Sequence, residues 1–195
     1  MTLKIGIDLD NTIINYEKSF QKLIKIRKIN SNWKNKHQIK EAINKSKSKY
    51  NWTAAQEEIY GLFINFAKPY KYFLEFEKFA VKNKHKLFII SHKTEYSEFS
   101  RKYNLREMSN KWLKKNIKMN KYKIFYTNTI NQKIEIIKKI KPKYYIDDLI
   151  KILRNKKIPK KTQKIFFSRK LDSKILTLSD WKKIKNYIAI NENLK

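Results

Sequence analysis

Short apolar runs that stop on an acid or a hydroxyl alternate, through most of this chain, with segments whose apolar residues recur every three or four positions. Leu3–Asp8 (LKIGID), Leu87–Ser91 (LFIIS) and Tyr144–Asp147 (YYID) end this way, and Tyr122–Tyr126 (YKIFY) and Lys164–Phe167 (KIFF) are further runs of strand length. Between them lie helix-period stretches. Tyr70 to about Asn83 carries Phe73, Phe76, Phe79 and Ala80 on one face, with Pro69 just ahead of it where proline suits a helix start. Asn104–Lys115 turns Leu105, Met108 and Trp112 inward; Asn131–Ile140 is stopped by Pro142; Ser179–Ile188 has Ser179 or Asp180 as its N-cap. Strands that alternate with helices build an α/β fold around a mainly parallel sheet.

One stretch breaks the alternation. From about Asn15 to Lys68 the chain is polar, Lys-rich and helix-forming, with Trp33 and Trp52 and no convincing strand. The expected organisation is therefore a core from residues 1–14 and 69–195, with a small helical insertion at 15–68.

Composition removes several alternatives. With 195 residues the chain supports one domain of ordinary size and a small appendage. Cys 0 excludes disulfide scaffolds, thiolate metal sites and thiol catalysis. No apolar run approaches the roughly 20 residues needed to cross a bilayer, and Asp8 and Asp10 interrupt any apolar leader in MTLKIGIDLD. The expectation is a cytoplasmic protein. The net charge of +30 has two readings. Arg27, Arg101, Arg106, Arg154 and Arg169 are the arginines and every other basic residue is Lys, alongside abundant Ile and Asn, the pattern of an AT-rich genome. The other reading is a surface that binds a polyanion such as nucleic acid. Under either, the field draws anions inward at low salt.

Chemistry-bearing residues gather where parallel strands end, the edge at which open α/β sheets bind ligands. Asp8 and Asp10 follow the first strand, Ser91 ends the second, Lys133 opens a helix, and Asp147 and Asp148 end YYI. Each alone has a plain structural reading as a cap, a turn or a solvated charge. Crowded together the four carboxylates would repel one another, and a hard divalent cation with oxygen ligands resolves that conflict.

Taken in order, IGIDLDNT (Ile5–Thr12), the apolar run ending at Ser91, Lys133 and IDDL (Ile146–Leu149) resemble the four motifs of the haloacid dehalogenase-like (HAD) superfamily of hydrolases. The resemblance implies a Rossmann-like three-layer sandwich with a small helical cap inserted after the first strand. It implies Asp8 as a nucleophile forming an aspartyl-phosphate, and Asp10 as the acid that protonates the leaving oxygen and then activates water. Asn11, Thr12, Ser91, His92 and Lys133 become candidate substrate contacts. Mg²⁺ would be held by Asp8, Asp147, the backbone carbonyl of Asp10 and, through water, Asp148. Asn11 stands where many relatives have Gly; Asn tolerates left-handed backbone, so the turn survives. Asp at position 10 favours a phosphatase or phosphomutase, because an alkoxide leaving group needs a proton.

The implied substrate is a small phosphorylated metabolite. SHKTEY (Ser91–Tyr96) is similar to stretches in phosphatase-like members of surface-polysaccharide clusters, which points to a sugar phosphate; the other reading of His92, a satisfied loop residue, is the favoured one. In the insertion, Lys22, Lys25, Arg27, Lys28, Lys34, Lys36, Trp33 and Trp52 either contact that substrate or form a solvated helix face over two core tryptophans. A nucleic-acid-binding or end-processing protein on the same fold is the alternative, supported by KYKIF (Lys121–Phe125) and the net charge.

Overall fold

The computed structural model describes residues 2–29, 36–45, 50–117 and 121–194. Its elements are β1 (Lys4–Ile7), β2 (Ile14–Asn15), α1 (Glu17–Arg27), α2 (Lys36–Lys45), α3 (Trp52–Glu57), β3 (Lys68–Pro69), α4 (Phe73–Lys82), β4 (Lys86–His92) and α5 (Leu105–Asn116). There follow β5 (Tyr122–Thr127), α6 (Ile130–Ile140), β6 (Tyr144–Asp147), α7 (Ile150–Leu153), β7 (Gln163–Phe167), β8 (Leu176–Leu178) and α8 (Trp181–Asn191). Among the described residues no helix is long and apolar enough to cross a membrane.

The chain divides into two compact units. The first comprises Met1–Ile14, Pro69–Lys93 and Ile117–Lys195. It is built on a six-stranded sheet of order β5-β4-β1-β6-β7-β8 in which every pairing is parallel. On one face α6 and α7 pack through Ile134, Ile137, Ile152 and Leu153 onto Phe88, Ile90 and Tyr145. On the other face α4 and α8 bring Phe73 and Phe76 against Trp181, ring centroids 4.8 and 4.7 Å apart. Helices on both faces of a parallel sheet make this a Rossmann-like three-layer sandwich.

Side chains alternate along a strand, so Gly6 and Asp8 of the first run face the same layer. That layer is the α6 side: a Cβ on Gly6 would lie 2.8 Å from Cδ2 of Tyr145. Glycine is required there because a large ring of the neighbouring strand crosses it. Tyr145 and Asp147 share this face by the same alternation. The helix above them is set by a capping box, in which the Thr129 hydroxyl accepts from Gln132 N–H and the Gln132 side chain accepts from Thr129 N–H. The box fixes which residues of α6 turn inward, namely Lys133, Ile134, Ile137 and Ile140.

Several boundaries differ from the sequence reading. The helix expected from Tyr70 begins at Phe73, because Tyr72 adopts left-handed backbone (φ 67°), and Pro69 lies in β3 instead of ahead of a helix. The short β8 and α7 had no apolar run long enough to announce them. Asp180, not Ser179, caps α8, accepting from Lys183 N–H at 2.9 Å.

The second unit comprises Asn15–Lys68 and Thr94–Asn116, so the segment 94–116, which the sequence reading left with the sheet, groups with the helical insertion. Two local features explain this. Tyr103 lies across Gly61, where any Cβ would come within 2.7 Å of its own Cβ. Glu57, 2% exposed, gathers the 97–102 loop. Its carboxylate accepts from Ser97 Oγ, from Ser100 N and Oγ at 3.0 and 2.8 Å, and from Lys102 N at 2.9 Å. The core of the unit is Phe20, Leu23, Ile39, Ile43, Ile59, Ile64 and Trp112, whose indole N–H donates to the Ala67 carbonyl at 3.1 Å. Trp52 is half-buried and stacks on Phe20, whereas Trp33 and Lys34 lie outside the described residues.

Burial alone would raise the Glu57 carboxyl, but the bonds from Ser97, Ser100 and Lys102 outweigh it and hold it below its ordinary 4.5. A depressed carboxyl stabilises the fold above its unfolded value, and that stabilisation is lost as pH falls through the lower folded value. Glu57→Gln, which offers one acceptor oxygen to donors that need two, should cost about 2–3 kcal/mol near neutral pH. The difference from wild type should shrink in acid, as read by denaturant unfolding at both pH values.

Candidate active site

The carboxyl ends of β1, β4 and β6 are neighbours in the sheet, and they carry Asp8, Ser91 and Asp147. Asp8 N–H donates to the Ile146 carbonyl at 2.9 Å, which fixes Asp8 beside Asp147. Lys133, reaching down from the first turn of α6, places its Nζ 2.6 Å from Asp8 Oδ1 and 2.8 Å from Asp147 Oδ2. All three side chains are buried. Asp147 is held further by the Tyr145 hydroxyl, which donates to Oδ2 at 2.8 Å, and by Leu149 N–H, which donates to Oδ1 at 2.8 Å. Asp148 completes the cluster: one oxygen from each of Asp8, Asp147 and Asp148 lies within 4.8 Å of the others.

The turn after β1 is equally constrained. Asn11 adopts left-handed backbone (φ 60°), as its side chain permits, and its N–H donates to the Ile14 carbonyl at 3.0 Å. Thr12 donates from Oγ1 to Asp8 Oδ2 at 3.3 Å, and its carbonyl accepts from the Trp181 indole at 2.9 Å. The buried indole therefore ties the turn to the packed face opposite α6.

Charge in this cluster is unbalanced. Burial pushes the Asp8 carboxyl up, with Lys133 opposing and Asp147 adding repulsion, to about 7. Burial alone would lower Lys133, but Asp147 and Asp8 outweigh it and raise its ammonium above the ordinary 10.5. Burial first, then Asp147 and Asp8, drive the Tyr145 phenol far up, so it stays a donor. Asp8 and Asp147 share the Lys133 ammonium with Asp148 beside them, an arrangement that a hard divalent cation with oxygen ligands would stabilise. Beside it, Ser91 Oγ is a buried hydroxyl with no hydrogen-bond partner among the described residues. Such an atom is costly unless a ligand satisfies it, and an anionic oxygen at the sheet edge would do so.

Asp8, Thr12, Lys133, Asp147 and Asp148 thus converge. Asp10 sits at the same edge with its Oδ2 2.9 Å from the ammonium of Lys93. His92 is exposed, and its Nε2 contacts the Asn128 carbonyl at 3.1 Å, the satisfied-loop alternative. Lys22, Lys25, Arg27, Lys28 and Lys36 belong to the helical unit, where Arg27 pairs with Glu58. Two participants had gone unmarked in the sequence. Tyr145 lies two residues before Asp147, so strand alternation could have flagged it; Lys93 lies one residue past the end of β4. Nothing local separates Lys93 from dozens of other lysines.

No family model matches the chain, and no curated protein matches its sequence. Solved structures do match its shape. The HAD-hydrolase YfnB from Bacillus subtilis, in a form bound to magnesium, superposes with a TM-score of 0.64 at 9% identity over 96% of this chain and 98% of its own. A haloacid dehalogenase-like hydrolase from Streptococcus pneumoniae gives 0.60 at 10% identity over 95% and 98%. A HAD-superfamily hydrolase from Ehrlichia chaffeensis gives 0.51 at 16% identity over 97% and 98%. The chain shares the fold of these proteins.

Proposed function

We propose that this chain is a phosphomonoester hydrolase acting in the cytoplasm on a small phosphorylated metabolite, of which a sugar phosphate is the favoured class. The observation that carries the reading is the buried Lys133 ammonium bridging Asp8 and Asp147, with the Asp8 carboxylate at the open end of a central strand. Asp8 attacks phosphorus; the new Oδ–P bond forms as the bond to the leaving oxygen breaks, and Asp10 gives that oxygen its proton. Asp10 then takes a proton from water, whose oxygen attacks the aspartyl-phosphate. Phosphate leaves and Asp8 is regenerated. Lys133 and Ser91 hold the phosphoryl oxygens.

The donor set fits Mg²⁺: Asp8, Asp147, Asp148 and the carbonyl of Asp10 would hold it, and it would neutralise charge on the carboxylates and the phosphoryl group. The helical unit is assigned the substrate-selecting role. The test is phosphate release by purified protein from a panel of sugar phosphates, nucleotides and an end-phosphorylated oligonucleotide, with Mg²⁺ and with chelator. Release that requires Mg²⁺, strongest on a sugar phosphate, is expected, together with a rise in melting temperature on adding Mg²⁺. Phosphate moved between positions without release would instead mark a phosphomutase. No turnover of any member and no thermal shift with Mg²⁺ would overturn the reading.

A further inference from the structure

We propose that Lys93 is the positioning residue of Asp10, holding the carboxyl that passes a proton to the leaving oxygen; this rests on the phosphatase reading above. Lys93 is nothing like the solvated lysines that dominate the chain: its side chain is 3% exposed, against 20% for Asp10. Burying an ammonium is unfavourable unless it is paired, and Lys93 makes an ion pair with Asp10 at 2.9 Å.

The backbone sets this geometry. Lys93 N–H donates to the Thr127 carbonyl at 3.0 Å, carrying the β4–β5 ladder one residue past His92. The origin of the side chain is therefore fixed by the sheet, and the side chain reaches across to the turn after β1. At the other end, Asp10 is anchored by the bridge between Asp10 and Ile14 and by the two amides, of Ile13 and Ile14, that donate to the Leu9 carbonyl at 3.0 Å. Both ends of the pair are thus held by backbone, so the carboxyl is oriented before any substrate arrives.

Positioning of a proton donor has a signature that general structural support lacks. An alkyl phosphate expels a strongly basic alkoxide and needs the proton, whereas para-nitrophenyl phosphate expels a weakly basic phenolate and does not. The experiment compares full-length wild type, Lys93→Met, Asp10→Asn and the double variant, with Mg²⁺, on glycerol phosphate and para-nitrophenyl phosphate. Lys93→Met should lower kcat on the alkyl substrate about tenfold or more beyond its effect on the aryl one, with KM little changed. In the Asp10→Asn background it should change that ratio no further. Equal losses on both substrates, or a further fall in the ratio without Asp10, would overturn the assignment while leaving the phosphatase reading intact. A wild type that turns over neither these two substrates nor any member of the panel above, and shows no thermal shift with Mg²⁺, would remove both. Should the Met variant fail to fold, Lys93→Arg serves the same comparison, since it keeps the charge but carries its donors on a wider planar head. A selective loss on the alkyl substrate is expected there too, and equal losses overturn the assignment.

Discussion

Asp8→Asn should reduce Mg²⁺-dependent phosphate release by about a thousandfold or more while leaving the protein folded. The amide cannot attack phosphorus, and no other carboxylate in the cluster takes its place: Asp147 is pinned by Lys133, Tyr145 and Leu149. The stability side of the prediction matters as much, because a lost activity means little if the fold has gone. Burial holds the Asp8 carboxyl up at about 7, so its charged form is disfavoured where it sits. The amide avoids that cost, still accepts one bond from Lys133, and leaves the ammonium its second partner in Asp147. Thermal unfolding without metal should therefore place the variant within a few degrees of wild type or above it. An Asn variant that keeps more than about a tenth of the wild-type rate would remove Asp8 from the nucleophile's role.

Lys133→Met should do the reverse and damage both stability and turnover. The ammonium is 1% exposed and is shared by two buried carboxylates. Removing one partner of a buried ion pair costs about 3–5 kcal/mol, because the charges left behind have no compensation. At a separation of ~4 Å and an effective dielectric of ~20, two carboxylates repel by about 4 kcal/mol, which agrees in size. A group whose folded value is raised contributes its full stabilisation below its unfolded value, here 10.5, and loses it only as pH climbs through the higher folded one. The deficit should thus be largest between about pH 7 and 10.5 and should narrow as pH falls below about 7, where Asp8 takes up its proton. Added Mg²⁺ should narrow it too, since a cation on the same oxygens takes over part of the compensation. Denaturant unfolding with unchanged m-value reads the loss directly. A Met variant within about 1 kcal/mol of wild type in metal-free buffer would show that the bridge contributes little.

Much of this protein was legible one residue at a time. The five apolar runs became β1, β4, β5, β6 and β7 within a residue or two, and the helix-period stretches became α4, α5, α6 and α8. The reason is local: apolar periodicity and strand length say which backbone form buries a given stretch. The same locality placed Asp8, Ser91 and Asp147 at strand ends, and the left-handed tolerance of Asn11 matches the turn it makes.

Partners, by contrast, belong to tertiary structure. Lys133 and Lys93 are two lysines in a chain crowded with them, and what distinguishes each is the carboxylate it meets. For Lys133 that carboxylate is 125 positions away in sequence. Which face of α6 lies over β1 depends on a capping box and on the missing side chain of Gly6, neither of which periodicity reports. The grouping of 94–116 with the helical insertion depends on one buried glutamate collecting a loop some forty residues on. Hydrophobic pattern decides what is buried; the pairing of buried charges is decided only when distant segments arrive together, because an ion's partner is set by distance in space and not by position in the chain.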